Sequence, residues 1–347
     1  MSSSEPFTPA SSEYNLQTRS RLFSLPPEIR HEIFSLAVVG TQDAVKSVDR
    51  NTYYGRPGYE TVPCIFTELL RTCKRIYMET WSMPLLLSEH AFCLSSDGRS
   101  PKGTLSVSEM QKGLDLIHKR YGEIKGGRVR IFSQLKALEA TNDFGGVLNM
   151  INFHPMTVTL TVRYLDTWNW EWNEELHIDG AWCGRVELPA SVTKFNIEIE
   201  CLEHRKSEVD YIINGIATGW NFRRSDGVTF ESDEDPITIS RWTGGSILPG
   251  RWRQIRDERR PGFLDYYVGK VTWRPSKNPP TDERPSNPAL RVNRERPLYT
   301  GPSIDAIMSS INFGGHHFLD HYRHENLGPL QMATHGPALM LQGEYRN

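Results

Sequence analysis

Apolar residues along this chain change period from about 3.6 to 2 and back again, and that change lays out the elements. Residues 1–21 are rich in Ser, Pro and polar side chains and read as a disordered amino end. From Leu25 the pattern turns helical. Pro26 and Pro27 suit a first turn, where backbone N–H groups have no intrahelical partner. Ile29, Ile33, Leu36 and Ala37 then fall on one face, and Gly40 is the stop signal. Residues 41–63 read as an insertion or a small hairpin. A second helix is predicted over 67–80, with Leu69, Leu70, Cys73, Ile76 and Tyr77 on its apolar face and Pro84 as its breaker. A short strand follows at 91–94, and 107–121 has helical spacing through Met110, Leu114, Ile117 and Tyr121. Residues 131–138 fit a short helix or a strand equally well, and 143–153 read as a short helix weakened by Gly145 and Gly146.

The centre is rich in strands. Residues 158–164 and 194–202 alternate apolar and polar positions, and strands are also predicted at 237–242 and 266–273. Between them 208–222 reads as a helix through Val209, Ile212, Ile213, Ile216 and Trp220. Strand, helix, strand in that order predicts a mixed α/β layer, hence an α+β chain. The domain reading is a disordered stretch at 1–21, a helical unit at 22–96, an α/β body at 97–274, a Pro- and charge-rich linker or arm at 275–302, and a partly helical segment at 303–347.

Composition narrows the classes. A net charge of −2 gives no global field toward nucleic acid or an anionic membrane, so neither is expected as a partner. No run approaches the ~20 apolar residues that a spanning helix needs, and residues 1–9 lack the basic start and apolar core of a secretory signal. The 5 cysteines are scattered without a Cys-x-x-Cys pair, and no Asn-x-Ser/Thr sequon occurs. Reduced thiols in an intracellular protein, cytoplasmic or nuclear, are the expectation.

Two stretches carry a resemblance. Leu25-Pro-Pro-Glu-Ile-Arg-His-Glu-Ile-Phe-Ser-Leu36 resembles the first helix of an F-box, and Leu69-Leu-Arg-Thr-Cys-Lys-Arg-Ile-Tyr77 resembles its closing helix. With Met83-Pro-Leu-Leu-Leu87 and Ala91-Phe92, the whole of 22–94 is similar to the F-box-like domain of a fungal family. The departure is an insertion of more than twenty residues between the motif helices. The resemblance implies that Leu25, Pro26, Ile29, Ile33 and Phe34 form an apolar face docking a Skp1-type adaptor, while the rest of the chain holds a protein substrate for a ubiquitin ligase. The competing reading is that this face packs against the protein's own sheet.

Other constellations are weaker. His317 and His321 lie four apart, His324 continues that face if the segment is helical, and Asp320 is close by, so a metal site is conceivable there. No Glu sits between the paired histidines as in the hydrolase motif, and a polar tail is the plainer reading. Trp168, Trp170 and Trp172 recur at period two, as in a stacking platform for sugars or bases, but Glu171, Glu174 and Glu175 oppose a nucleic-acid groove. The basic run at 251–260 is interrupted by Asp257 and Glu258 and reads as a solvated loop. Glu198 and Glu200 share one face of a predicted strand and read as its wet side. No nucleophile elbow, phosphate-binding loop or dinucleotide fingerprint occurs, so no catalytic residue and no cofactor is assigned. The expectation is a non-enzymatic interaction protein.

Overall fold

The computed structural model describes residues 15–38, 42–47, 56–57, 59, 61–63, 68–95, 106–123, 126–168, 174–245, 263–277 and 287–292. All of them belong to one compact unit, Met1–Arg294. Helix α1 (Pro27–Val38) precedes an antiparallel pair, β1 (Gln42–Ser47) with β2 (Thr61–Pro63), so the insertion between the motif helices contains a small two-stranded sheet. A 3₁₀ turn at Leu69–Arg71 then leads into α2 (Lys74–Thr80), α3 (Met83–Leu87) and β3 (Glu89–Leu94). The single helix expected over 67–80 is split because Cys73, the residue before α2, is extended at φ −158° and ψ 160°. Pro84 opens a helix instead of ending one: it stands in the first turn of α3, where its missing N–H costs nothing.

The body follows the predicted rhythm closely. Helix α4 (Val107–Tyr121) starts on a capping box in which Ser106 accepts from the Glu109 N–H at 3.2 Å and Glu109 accepts from the Ser106 N–H at 3.3 Å. The ambiguous stretch at 131–138 holds both alternatives, the end of β4 (Arg128–Ser133) and the start of α5 (Leu135–Ala140). Then come α6 (Asp143–Leu148), β5 (Thr157–Val162), the short β6 (His177–Ile178), β7 (Lys194–Leu202), α7 (Lys206–Gly219), β8 (Phe222–Arg223), β9 (Thr229–Gly245), β10 (Phe263–Pro275) and β11 (Leu290–Arg291). The architecture is α+β.

The main sheet has seven strands in the order β3-β4-β5-β7-β10-β9-β8. The strands β3, β4, β5 and β7 are parallel, and β10, β9 and β8 continue antiparallel. The four parallel strands advance in one direction, so right-handed crossovers place their connecting helices on one face. That face holds the main core. Val129 and Ile131 of β4, Val158 and Leu160 of β5, Phe195 and Ile197 of β7 and Val271 and Trp273 of β10 meet Leu114 of α4, Leu135 of α5, Val147 of α6 and Ile212 and Ile216 of α7. Trp182, Trp220 and Trp273 are wholly buried here, and two of their indoles donate to backbone: Trp273 to Trp220 O at 3.0 Å, Trp220 to Pro288 O at 2.9 Å. Buried Trp N–H groups usually find such a partner; the Trp182 Nε1 is buried without one.

Two boundaries differ from the sequence reading. Strand β3, assigned to the helical unit at 22–96, pairs in parallel with β4 from Glu89↔Arg128 to Leu94↔Ser133, so the front end and the body share an element. Within the stretch read as a linker or arm, β11 pairs with β6, and Asn287 exchanges hydrogen bonds with Asn221 at 2.9 and 3.0 Å. Period-two analysis misses this because β6 and β11 have two residues each. Cys183 and Cys201 are buried while Cys73 and Cys93 are half-buried, and burial pushes the Cys201 thiol up to about 12 and that of Cys183 higher still.

Gly269 of β10 is where the sheet and α7 come closest. A Cβ there would stand 2.7 Å from Ile213 and 2.8 Å from Val209. Gly269→Val is therefore expected to destabilise by roughly 1–3 kcal/mol through overpacking, read as a lower urea midpoint with unchanged slope.

Candidate functional site

The first candidate is the face of α1. Its buried row is Arg30, Phe34 and Val38, while Leu25, Ile29, Ile33 and Leu36 are 36%, 50%, 41% and 75% exposed. Pro26 and Ala37 are exposed as well. Phe34 therefore leaves the proposed docking set; it lies in a small core with Val38, Ile76 and Met83, flanked by Leu22, Phe23, Leu69 and Leu70. The reason is Arg30. Its Nε and Nη2 donate to the two carboxylate oxygens of Glu79 at 2.9 and 3.1 Å, and its Nη1 donates to Leu25 O at 2.6 Å. Arg75 also donates to Glu79, at 3.2 Å, and stacks over Phe23 at 4.0 Å. A charge on a buried row is normally prohibitive, but this one is fully paired. The paired Arg30 turns Phe34 and Val38 inward and leaves the aliphatic row of Ile29 and Ile33 facing out, away from the sheet.

The second candidate was not assigned from sequence. One face of the sheet carries the crossovers; the other is polar in its middle and apolar toward one end, where Leu202, Leu264 and Tyr266 pack with Tyr164, Leu165 and Trp242. Cross-strand register brings Arg130 of β4, Thr159 and Thr161 of β5, Asn196, Glu198 and Glu200 of β7, Lys270 of β10 and Thr238 and Ser240 of β9 to this second face. The segment around Arg56 and Tyr59 lies over it and encloses a cavity of about 410 Å³. Arg130 is the hub: Nε donates to Glu89 at 2.9 Å, and Nη1 donates to Thr161 at 2.9 Å and to Glu198. Tyr59 donates its hydroxyl to Glu89 and packs edge-on against Phe132 at 4.9 Å. Glu200, 3% exposed, accepts from Trp242 Nε1 at 3.2 Å and from the Tyr164 N–H at 3.3 Å. The alternation correctly puts Glu198 and Glu200 on one face, but that face is covered and ion-paired, not wet. A sequence signal for it exists: threonines and charges of both signs recur at the same parity in several neighbouring strands.

The electrostatics follow from this packing. Burial raises the Tyr59 phenol, reinforced by the neighbouring Glu89 carboxylate. Burial would also raise Glu89, but the charge and hydrogen bond of Arg130, with the Tyr59 hydroxyl, outweigh it and hold the carboxyl below its ordinary value. Burial would lower Arg130, yet Glu198 and Glu89 keep it above the usual guanidinium range. Arg56 is different. Its Nη2 stands 3.8 Å from Glu200 and 3.9 Å from Glu198, outside hydrogen-bond length, and its Nε and Nη1 are buried without any partner. A buried donor left unmade costs about 1–3 kcal/mol; the Arg56 guanidinium lies over the Phe132 ring, 5.5 Å from its centre.

The remaining sequence candidates are quickly placed. His317, His321 and His324 lie outside the described residues, as do Trp170, Trp172 and the basic run at 251–260. Trp168 donates to Glu139 at 2.7 Å and stacks with His177, so its ring is engaged within the protein. Among the described residues no group of three or more His, Cys, Asp or Glu is placed to hold a metal ion, and no helix is long and apolar enough to cross a membrane. In comparisons with known proteins, no family model, no curated protein and no solved structure matches this chain.

The Arg130 network makes a pH-dependent prediction. A carboxylate depressed by folding contributes stability in full above the ordinary glutamate value of about 4.3, and the contribution is lost as pH falls through the lower folded-state value. Arg130→Met is expected to cost about 2–4 kcal/mol at pH 7 by leaving Glu89 and Glu198 without their cation. In urea titrations that difference should narrow progressively as pH falls below the ordinary glutamate value and through the lower folded-state value of Glu89.

Proposed function

We propose that this chain is a non-enzymatic interaction protein whose α1 face docks an adaptor of the Skp1 type, with the body offering a protein substrate to a ubiquitin ligase. One observation supports it most: the aliphatic residues of the F-box-like motif, Leu25, Ile29, Ile33 and Leu36, form an outward row on a helix already pinned from behind. Isolated surface aliphatics are ordinary, but a contiguous row on one helix face is what partner grooves take up. Affinity in such contacts comes from a few apolar anchors entering pockets, and a rigid helix lowers the entropy lost on docking. The Arg30–Glu79 pair and the Phe34 core supply that rigidity. The two-stranded sheet between the motif helices distinguishes this unit from a plain three-helix F-box, yet α2 still packs behind α1 through Arg30–Glu79 and Ile76, so the adaptor would meet the outward side of a braced α1.

Co-purification with a Skp1-type adaptor tests the reading, with isothermal titration at roughly micromolar concentrations giving the affinity. The unaltered chain should form a complex, and Ile33→Asp should weaken it at least tenfold while leaving the circular dichroism and urea midpoint intact. Phe34→Ala should act differently, lowering stability by about 3–5 kcal/mol as a large core truncation. Absence of any complex with the unaltered chain would reject the adaptor role.

A further inference from the structure

We infer that the cavity over the polar face of the sheet is a binding site for an oxyanion, a carboxylate or a phosphate, seated on Lys270 and the hydroxyls of Thr238 and Ser240. The argument rests on which polar groups there already have partners. Each carboxylate already has donors: Glu89 Oε1 takes Tyr59 and Arg130, Glu198 Oε2 takes Arg130 and Thr161, and the two oxygens of Glu200, just beneath, take Trp242 and the Tyr164 N–H. Donors are left over. Lys270, Thr238 and Ser240 line the cavity, and their side chains have no hydrogen-bond or ion-pair partner among the described residues. Arg56 adds its two buried, unpartnered N–H positions to the same wall.

The three free donors are also placed together by the backbone. Lys270 pairs in register with Thr238, and Ser240 lies two positions along β9 on the same face, opposite Val268. Two adjacent strands of a pleated sheet hold such groups within a few ångströms, with the lysine stem free to bring Nζ over the hydroxyls. Charge agrees with chemistry. The lining holds Arg56, Arg130, Arg241 and Lys270 against Glu89 and Glu198; Arg241 pairs with Glu203 and Arg56 stands 3.8 Å from Glu200, so Lys270 is the cation left without a carboxylate of its own. An apolar ligand would leave every one of these donors unmade. Thr238 and Ser240 are exposed, so the site opens toward the β9 side of the sheet, where β8 pairs only with the first residues of β9.

Isothermal titration of the full chain with inorganic phosphate and, separately, with N-acetylglutamate tests this, against sodium chloride at matched ionic strength. Binding at roughly millimolar Kd or tighter is expected for at least one of them, and which one binds decides between phosphate and carboxylate. Lys270→Met should weaken that binding about tenfold or more, as loss of a charge-assisted contact does. Thr238→Val, a β-favouring substitution on an exposed strand position, should weaken it several-fold with the urea midpoint retained. Ile33→Asp, remote in role, should bind the anion as the unaltered chain does. The inference falls if neither anion binds, or if Lys270→Met and Thr238→Val bind as well as the unaltered chain.

Discussion

The handedness of the crossovers governs this molecule. Four parallel strands advancing in one direction send every connecting helix to one side of the sheet. The chain buries its aliphatic and aromatic residues there, around Trp182, Trp220 and Trp273. The second side receives no helix from those connections, so it cannot be apolar without exposing a large patch. Its middle is polar instead, with Arg56, Pro57 and Tyr59 over it. Polar groups taken out of water must pair with one another, and Arg130 is the residue that lets Glu89, Thr161 and Glu198 do so. The core, the charge network and the cavity above it are three results of one topological restriction.

At the amino end a single ion pair plays a comparable part. With Arg30 bound to both oxygens of Glu79 and to the Leu25 carbonyl, α1 has one stable rotation about its axis. Phe34 and Val38 fill the small core, and Ile29 and Ile33 look outward. The competing possibility, that these isoleucines pack on the protein's own sheet, is not what the coordinates hold. Rigidity behind the face and aliphatic chemistry on it are the two properties a docking helix needs.

Much of this was legible in the residues, for definite reasons. The strand at Lys194–Leu202 and the helices at Val107–Tyr121 and Lys206–Gly219 show a clean period over enough residues to exclude the alternative. The mixed α+β character followed directly. The orientation of α1 was harder, because two rows satisfy helical spacing and the buried one contains an arginine; only Glu79, forty-nine residues away, resolves the choice. The cavity was illegible for a different reason. Arg56 and Tyr59 lie in a stretch without any period, and Arg130 stands just before the stretch, 131–138, that fitted helix and strand alike. Glu198 and Glu200 were assigned the correct side of their strand, but alternation reports parity and not what covers that parity.

The order of the strands also bears on how the chain is made. Strand β10 lies between β7 and β9, and the carbonyl that receives the Trp220 indole belongs to Pro288. Synthesis proceeds from the amino end at about 5–20 residues per second, so the middle of the sheet and the seal over its largest indoles emerge last. Until then the nascent body has a parallel half-sheet with an unpaired edge at β7 and open tryptophans, a species that chaperones would be expected to hold. Completion of this unit thus waits for its final strands, and its vulnerability to aggregation is concentrated in the interval before they emerge.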